Sequence, residues 1–193
     1  MDFADEKKFA LAAHPVNWYE VGKLMYENAK SLYIMPQGEV TFSDGVNLIT
    51  RPTSNRAVFL LAAFSMENLL KAFLIYENPE YIKSGKLSRQ LPNGHGLSKL
   101  QKKCRKIPSP KRTLHVFETL EIGVNSWARY PCATSLERET VEREVTPAFW
   151  GFYEKTFNLY SKRLEQLLAK GWKDPYGEKD TFLLSIRFVI AFG

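Results

Sequence analysis

The 193-residue chain holds only two cysteines and three histidines, and each shortage removes a class of chemistry. Cys104 and Cys132 stand apart, with no CxxC and no histidine pair beside them, which excludes a Cys/His zinc site and a secreted disulfide scaffold. None of His14, His95 and His115 has a second histidine or a cysteine at ligand spacing, so no metal site and no cofactor are expected. The phosphate loop GxxxxGK(S/T), the dinucleotide GxGxxG, the GxSxG elbow and the HExxH helix are all missing. The N-terminal MDFADEKKF mixes charges where a signal peptide needs a basic start and an apolar run, so the expected compartment is the cytoplasm. The one long apolar stretch, Ala57 to Tyr76, carries Glu67, Asn68 and Lys71, each costly in hydrocarbon, and reads as a buried helix without a membrane partner.

What is present is an ordinary globular composition, 45% hydrophobic and 25% charged, sufficient for one domain over residues 1–193 built on a single core. The net charge of +6 is uneven. Ten basic residues and no acidic ones lie between Lys83 and Arg112, leaving 17 basic against 21 acidic residues elsewhere. Such a local excess attracts phosphate backbones or another polyanion. Lys99, Lys102, Lys103, Arg105, Lys106, Lys111 and Arg112 are its densest part and the candidate nucleic-acid contacts. A solvated, lysine-rich face kept for solubility is the alternative.

Periodicity predicts a mainly α protein, an antiparallel helical bundle with a small β-hairpin or three-stranded sheet from residues 39–50 and 181–192. A short helix over Asp2–Ala12 stops at His14-Pro15, and Asn17 is placed to cap the next, with Val21, Leu24, Met25, Leu32 and Tyr33 inward. A period of two around Asp44-Gly45 predicts strands Glu39–Ser43 and Val46–Thr50. Ser54 or Asn55 caps an almost wholly apolar helix from about Arg56 to Tyr76. A basic helix over Gly96–Lys106 and another over Arg112–Ala128 follow, the second with Leu114, Phe117, Leu120, Glu121 and Val124 on one face. Thr134–Glu137 has capping-box spacing before a short charged helix whose Glu137, Glu139, Glu142 and Glu144 read as a solvated face. Thr146-Pro147 starts a long helix ending at Gly171, with a Phe149, Trp150, Tyr153, Phe157 and Tyr160 stripe expected in the core. The apolar TFLLSIRFVIAF near the end reads as a strand.

Polar residues in apolar or special surroundings are the remaining candidates. Glu67 and Lys71, four apart, share one helix face and either line a cleft or form an exposed ion pair. His95 lies between Gly94 and Gly96 before the basic helix, placed as a general acid or base or as a simple cap. Arg129 closes its helix, where a cation suits the dipole.

The order ENLLKAFLI, then a glycine-containing loop, then GHGLSKL, then a helix ending in ARYP resembles divergent members of the HEPN superfamily (higher eukaryotes and prokaryotes nucleotide-binding), over roughly Asn17 to Leu168. The resemblance implies a helical bundle that often forms a homodimer. It also implies either a metal-independent ribonuclease of a toxin–antitoxin or antiviral defence system, or a non-catalytic relative binding RNA, a nucleotide or a protein partner such as an antitoxin. The family signature is an arginine followed four to six residues later by histidine, near the start of a late helix. Arg89 and His95 have that spacing but lie earlier, in the loop after the central helix, while Arg129 has no histidine at that spacing. On this resemblance His95 is the acid or base, Arg89 or Arg129 stabilises phosphorane charge, and Glu67 and Lys71 orient these groups or hold the fold. A helical adaptor that meets an acidic protein is the reading outside nucleic-acid chemistry.

Overall fold

A computed structural model describes residues 2–43, 46–92, 95–108, 111–130 and 142–180. They form six α-helices and two antiparallel two-stranded sheets. The chain is therefore mainly α, as its periodicity indicates.

Helix α1 (Phe3–Ala12) is capped by the Asp2 carboxylate. Asn17 does not cap α2 (Pro15–Ile34): His14 Nδ1 accepts from the Val16 N–H at 3.0 Å, and Pro15 takes the first helical position, where its missing donor costs nothing. Asn17 lies inside α2 and donates to the carbonyls of Leu11 and Ala12, closing α1 instead. The inner face of α2 also differs from expectation. Val21 and Leu24 are exposed, whereas Val16, Tyr19, Gly22, Tyr26 and Ala29 are buried. The tyrosines win the core stripe because their hydroxyls find partners there, Tyr19 on Glu165 at 2.5 Å and Tyr26 on Glu154 at 2.8 Å.

Strands β1 (Glu39–Ser43) and β2 (Leu48–Pro52) pair with Ser43 opposite Leu48, so β2 starts two residues later than the alternation suggests. The Asp44-Gly45 turn lies outside the described residues, as does the strand expected over 181–192. A second small pair, β3 (Trp172–Lys173) with β4 (Lys179–Asp180), has no precursor in the sequence reading.

Helix α3 (Asn55–Glu77) is the axis of the bundle, with Phe59, Met66, Leu69, Leu70, Phe73 and Ile75 fully buried. Among the described residues it is the one helix long and apolar enough to cross a bilayer, and 72% of that window is buried inside the protein, as befits a core helix. Neither expected cap operates as one: Ser54 makes no side-chain cap bond, and Asn55 is drawn into contacts with residues 142–145. Helix α2 runs antiparallel to α3, with Ser54 near Leu32 and Gly22 against Ser65. A Cβ at Gly22 would lie 3.0 Å from the Ser65 carbonyl, so glycine sets how closely the two helices approach.

Helix α4 (Leu97–Lys103) is shorter than the expected Gly96–Lys106, and α5 (Lys111–Asn125) gives way to turns before Arg129. Phe117, Leu120 and Val124 of α5 are buried as expected, but Leu114 is exposed and Val116 is buried in its place. Helix α6 (Pro147–Leu168) starts as predicted, the Thr146 hydroxyl accepting from the Phe149 N–H at 3.2 Å. Its Trp150, Tyr153, Phe157 and Tyr160 are core residues, Phe157 stacked on Tyr26 and the Tyr153 hydroxyl 2.6 Å from that of Ser65. Gly171, at φ +84°, turns the chain towards β3.

The Thr134–Glu137 capping box, Glu137 and Glu139 lie outside the described residues. Glu142 is not on a solvated face. It is buried, bonded to the Asn55 amide at 2.7 Å and to Arg56 Nε at 2.7 Å, and so fastens the approach to α6 onto the start of α3. An unpaired carboxylate would not survive that burial, and the two donors supply the reason it does.

Candidate functional site

The polar stripe of α3 meets the loop before α4 rather than open water. Two apolar anchors bring His95 there: Leu91 before it and Leu97 after it are both buried, so the residue between them is pressed against α3. Phe64 forms one wall, its ring centroid 5.2 Å from the imidazole. Trp18 of α2 forms another, beneath the Lys71 ammonium at 5.5 Å.

Glu67 is the hub. Its Oε1 accepts from Lys71 Nζ at 2.6 Å, and its Oε2 lies 2.8 Å from His95 Nδ1. The side chains of Glu67 and Lys71 are 11% and 14% exposed, against 25% for His95. The reading of Glu67 and Lys71 as an exposed ion pair is thereby overturned, because the His95 loop and Trp18 cover the stripe. An ionised carboxylate only accepts, so Nδ1 is the donor in this pair and Nε2 is the ring nitrogen left for another partner. That is the orientation of a histidine that takes a proton through Nε2 and returns it. Among the described residues, no serine, threonine or cysteine side chain bonds to the imidazole.

The arginines are not part of this cluster. Arg89 is exposed on a turn, and Arg129 is exposed with its guanidinium 5.2 Å from the Tyr130 ring centroid. Neither makes a hydrogen bond or ion pair with His95, Glu67 or Lys71 among the described residues. The six-residue spacing of Arg89 and His95 makes no bond between them: Leu91 in between is buried and Arg89 is exposed to solvent.

The basic series lies beside the cluster. Leu97, Leu100 and Gln101 face inward from α4, Gln101 bonding Thr113 and Tyr160, so Lys99, Lys102 and Lys103 face solvent, with Arg105 and Lys106 just beyond. Lys103 reaches the Gln90 carbonyl at 3.2 Å, and Lys106 lies over Tyr76 at 5.0 Å. Lys111 and Arg112 open α5, and their side chains lie outside the described part. Two carboxylates that the sequence did not single out for this purpose hold the basic segment in place. Glu121 accepts from the Ser98 N–H at 3.0 Å at the start of α4, and Glu77 accepts from the N–H groups of Arg105 and Lys106 at its exit. Glu121 did carry a signal, as an acidic residue on the apolar face of its helix. Among the described residues no cluster of His, Cys, Asp and Glu has the makings of a metal site.

Comparison of the chain with protein-family models, with curated proteins and with solved structures finds no match.

Proposed function

We propose that this chain is a HEPN-like, RNA-directed cytoplasmic protein that cleaves RNA without a metal, with His95 as the proton-transfer group. The observation that carries the proposal is the buried Glu67 carboxylate at 2.8 Å from Nδ1 of a partly exposed His95, which leads in the chain into a run of solvent-facing cations. A site with an oriented base and no nucleophile of its own suits a substrate that brings one, and the ribose 2′-hydroxyl of RNA is such a group. In this scheme Nε2 takes the 2′-hydroxyl proton, the oxygen attacks the adjacent phosphorus to form a 2′,3′-cyclic phosphate as the P–O5′ bond breaks, and the 5′-oxygen leaves with the proton that Nε2 returns. Lys99, Lys102, Lys103, Arg105 and Lys106 hold flanking phosphates. The homodimer expected from the resemblance would add a second copy of these groups, and a toxin or defence role with a neutralising partner follows from the same resemblance.

The exposed, detached Arg89 and Arg129 favour a second reading, a non-catalytic module that binds RNA or a nucleotide and uses Glu67 and Lys71 to hold its fold. Incubation of the parent and of His95→Ala with total RNA in EDTA separates the two. Cleavage by the parent alone supports the ribonuclease; salt-sensitive binding by both, without cleavage, supports the module. Reversal of Lys102, Lys103, Arg105 and Lys106 to glutamate is expected to abolish RNA binding in either case. Unchanged affinity removes the basic segment from the scheme.

A further inference from the structure

Helix α4 and its exit follow the C-terminal half of α3 in the same direction. His95 lies at Glu67, Cys104 Sγ is 3.6 Å from the Leu70 carbonyl, and the backbone of Arg105 and Lys106 is bonded to Glu77. Ten residues of α-helix separate Glu67 from Glu77, about 15 Å at 1.5 Å per residue. The solvent-facing cations therefore form a track that starts at His95 and ends at Lys106.

The track ends at a cleft. Lys106 is on the rim of an open cavity of about 530 Å³, formed where the 171–177 turn approaches the end of α3. The volume is within the range of small-ligand sites. Its floor is held in place from behind: the Tyr76 hydroxyl donates to the carbonyl of Leu167 at 2.9 Å, and the buried Trp172 indole donates to that of Ile75 at 3.4 Å. Pro79 and Pro175 add rigid apolar walls, and Lys173 lines the cleft as a second exposed cation. Asp174 stiffens the turn by accepting from the N–H groups of Tyr176 and Glu178. Of the acidic groups on the rim, Glu80 is engaged by Lys83 at 3.1 Å. With Lys106 over the Tyr76 ring and Trp172 buried, the proline faces are the apolar surface left for the base of a nucleotide, and Lys106 and Lys173 are the cations for its phosphate.

We infer that this cleft is a ribonucleotide subsite, occupied by a nucleotide of the same RNA strand that crosses α4, a few positions from the one His95 addresses. The inference rests on the RNA-directed reading above and extends it: the cleft sets the register and direction of the strand. A free mononucleotide shares the chemistry, but the continuity of the cation track with the cleft favours the strand.

The test uses a fluorescein-labelled uridine octamer carrying one photoreactive 4-thiouridine, the full chain, and two single charge reversals. Lys173→Glu alters the cleft rim, and Lys155→Glu alters an exposed lysine of α6 with the same change in net charge. The expected result is cross-linking both to residues 97–106 and to the 171–177 turn, with Lys173→Glu lowering the slope of log affinity against log salt by about one relative to Lys155→Glu. Circular dichroism checks that both variants are folded. Octamer binding with cross-links confined to residues 97–106, and equal slopes for the two variants, overturns the subsite and leaves the RNA-directed reading standing. Failure of the parent to bind the octamer at all overturns both. Saturable binding of uridine monophosphate in the cleft, with no cross-link from the octamer there, assigns the cleft to free nucleotides and overturns its place on the strand.

Discussion

Replacing Glu67 by glutamine keeps the side-chain shape and removes the charge that Lys71 and His95 share. An exposed ion pair contributes about 0.2–1 kcal/mol, whereas removing one partner of a fully buried pair costs about 3–5 kcal/mol. The Glu67 and Lys71 side chains, at 11% and 14% exposure, lie nearer the buried limit, but the ammonium keeps the Trp18 ring face as a partner. The expected cost of Glu67→Gln is therefore about 2 kcal/mol, a fall in Tm of about 4–8 °C for a chain of this size. Most of the cost belongs to an uncompensated Lys71, so Lys71→Met in the same chain should return about half of it. Urea unfolding of the parent, both single variants and the double variant closes the cycle, and a coupling energy of about 1–2 kcal/mol is expected. A cost below about 0.5 kcal/mol for Glu67→Gln, or strictly additive single effects, would refute the claim that Glu67 is a desolvated hub.

Two further outcomes follow from other parts of the fold. Thr146→Ala removes the cap of α6 and should cost about 1 kcal/mol, read as a lower urea midpoint at unchanged slope; an unchanged midpoint contradicts the cap. Glu154 has its carboxyl held below the usual glutamate range, first by the hydrogen bond from Tyr26 and then by Lys30. A lowered folded pKa stabilises the protein above the ordinary glutamate range, and that contribution is lost as pH falls through the lowered value. Tyr26→Phe should therefore be destabilised relative to the parent at pH 7 and by a smaller margin near pH 3, and an equal margin at both pH values contradicts the assignment.

The helices of this protein are written in its local sequence. Thr146-Pro147 specifies the start of α6, the spacing of Trp150, Tyr153, Phe157 and Tyr160 specifies its buried face, and the length of the apolar run specifies α3 as the central helix. Each of these depends on groups within a turn or two along one chain segment, where capping and amphipathic period act. The basic run between Lys83 and Arg112 is legible for the same reason, since a count of charge needs no fold.

What local pattern could not supply is which polar residue meets which. Tyr19 and Tyr26 displaced Val21 and Leu24 from the core because Glu165 and Glu154 wait on α6, more than a hundred residues away. Glu142 exchanged a solvated face for burial because Asn55 and Arg56 are across from it. Arg89 and His95, neighbours by spacing, are not bonded, with Leu91 between them drawn into the core, while Glu67, 28 residues from His95, holds its imidazole. Sequence determined most of the helices, the buried stripe of α6 and the distribution of charge. Tertiary structure alone decided the partners, because desolvation makes a charge or hydroxyl depend on the donor or acceptor brought to it from elsewhere in the chain.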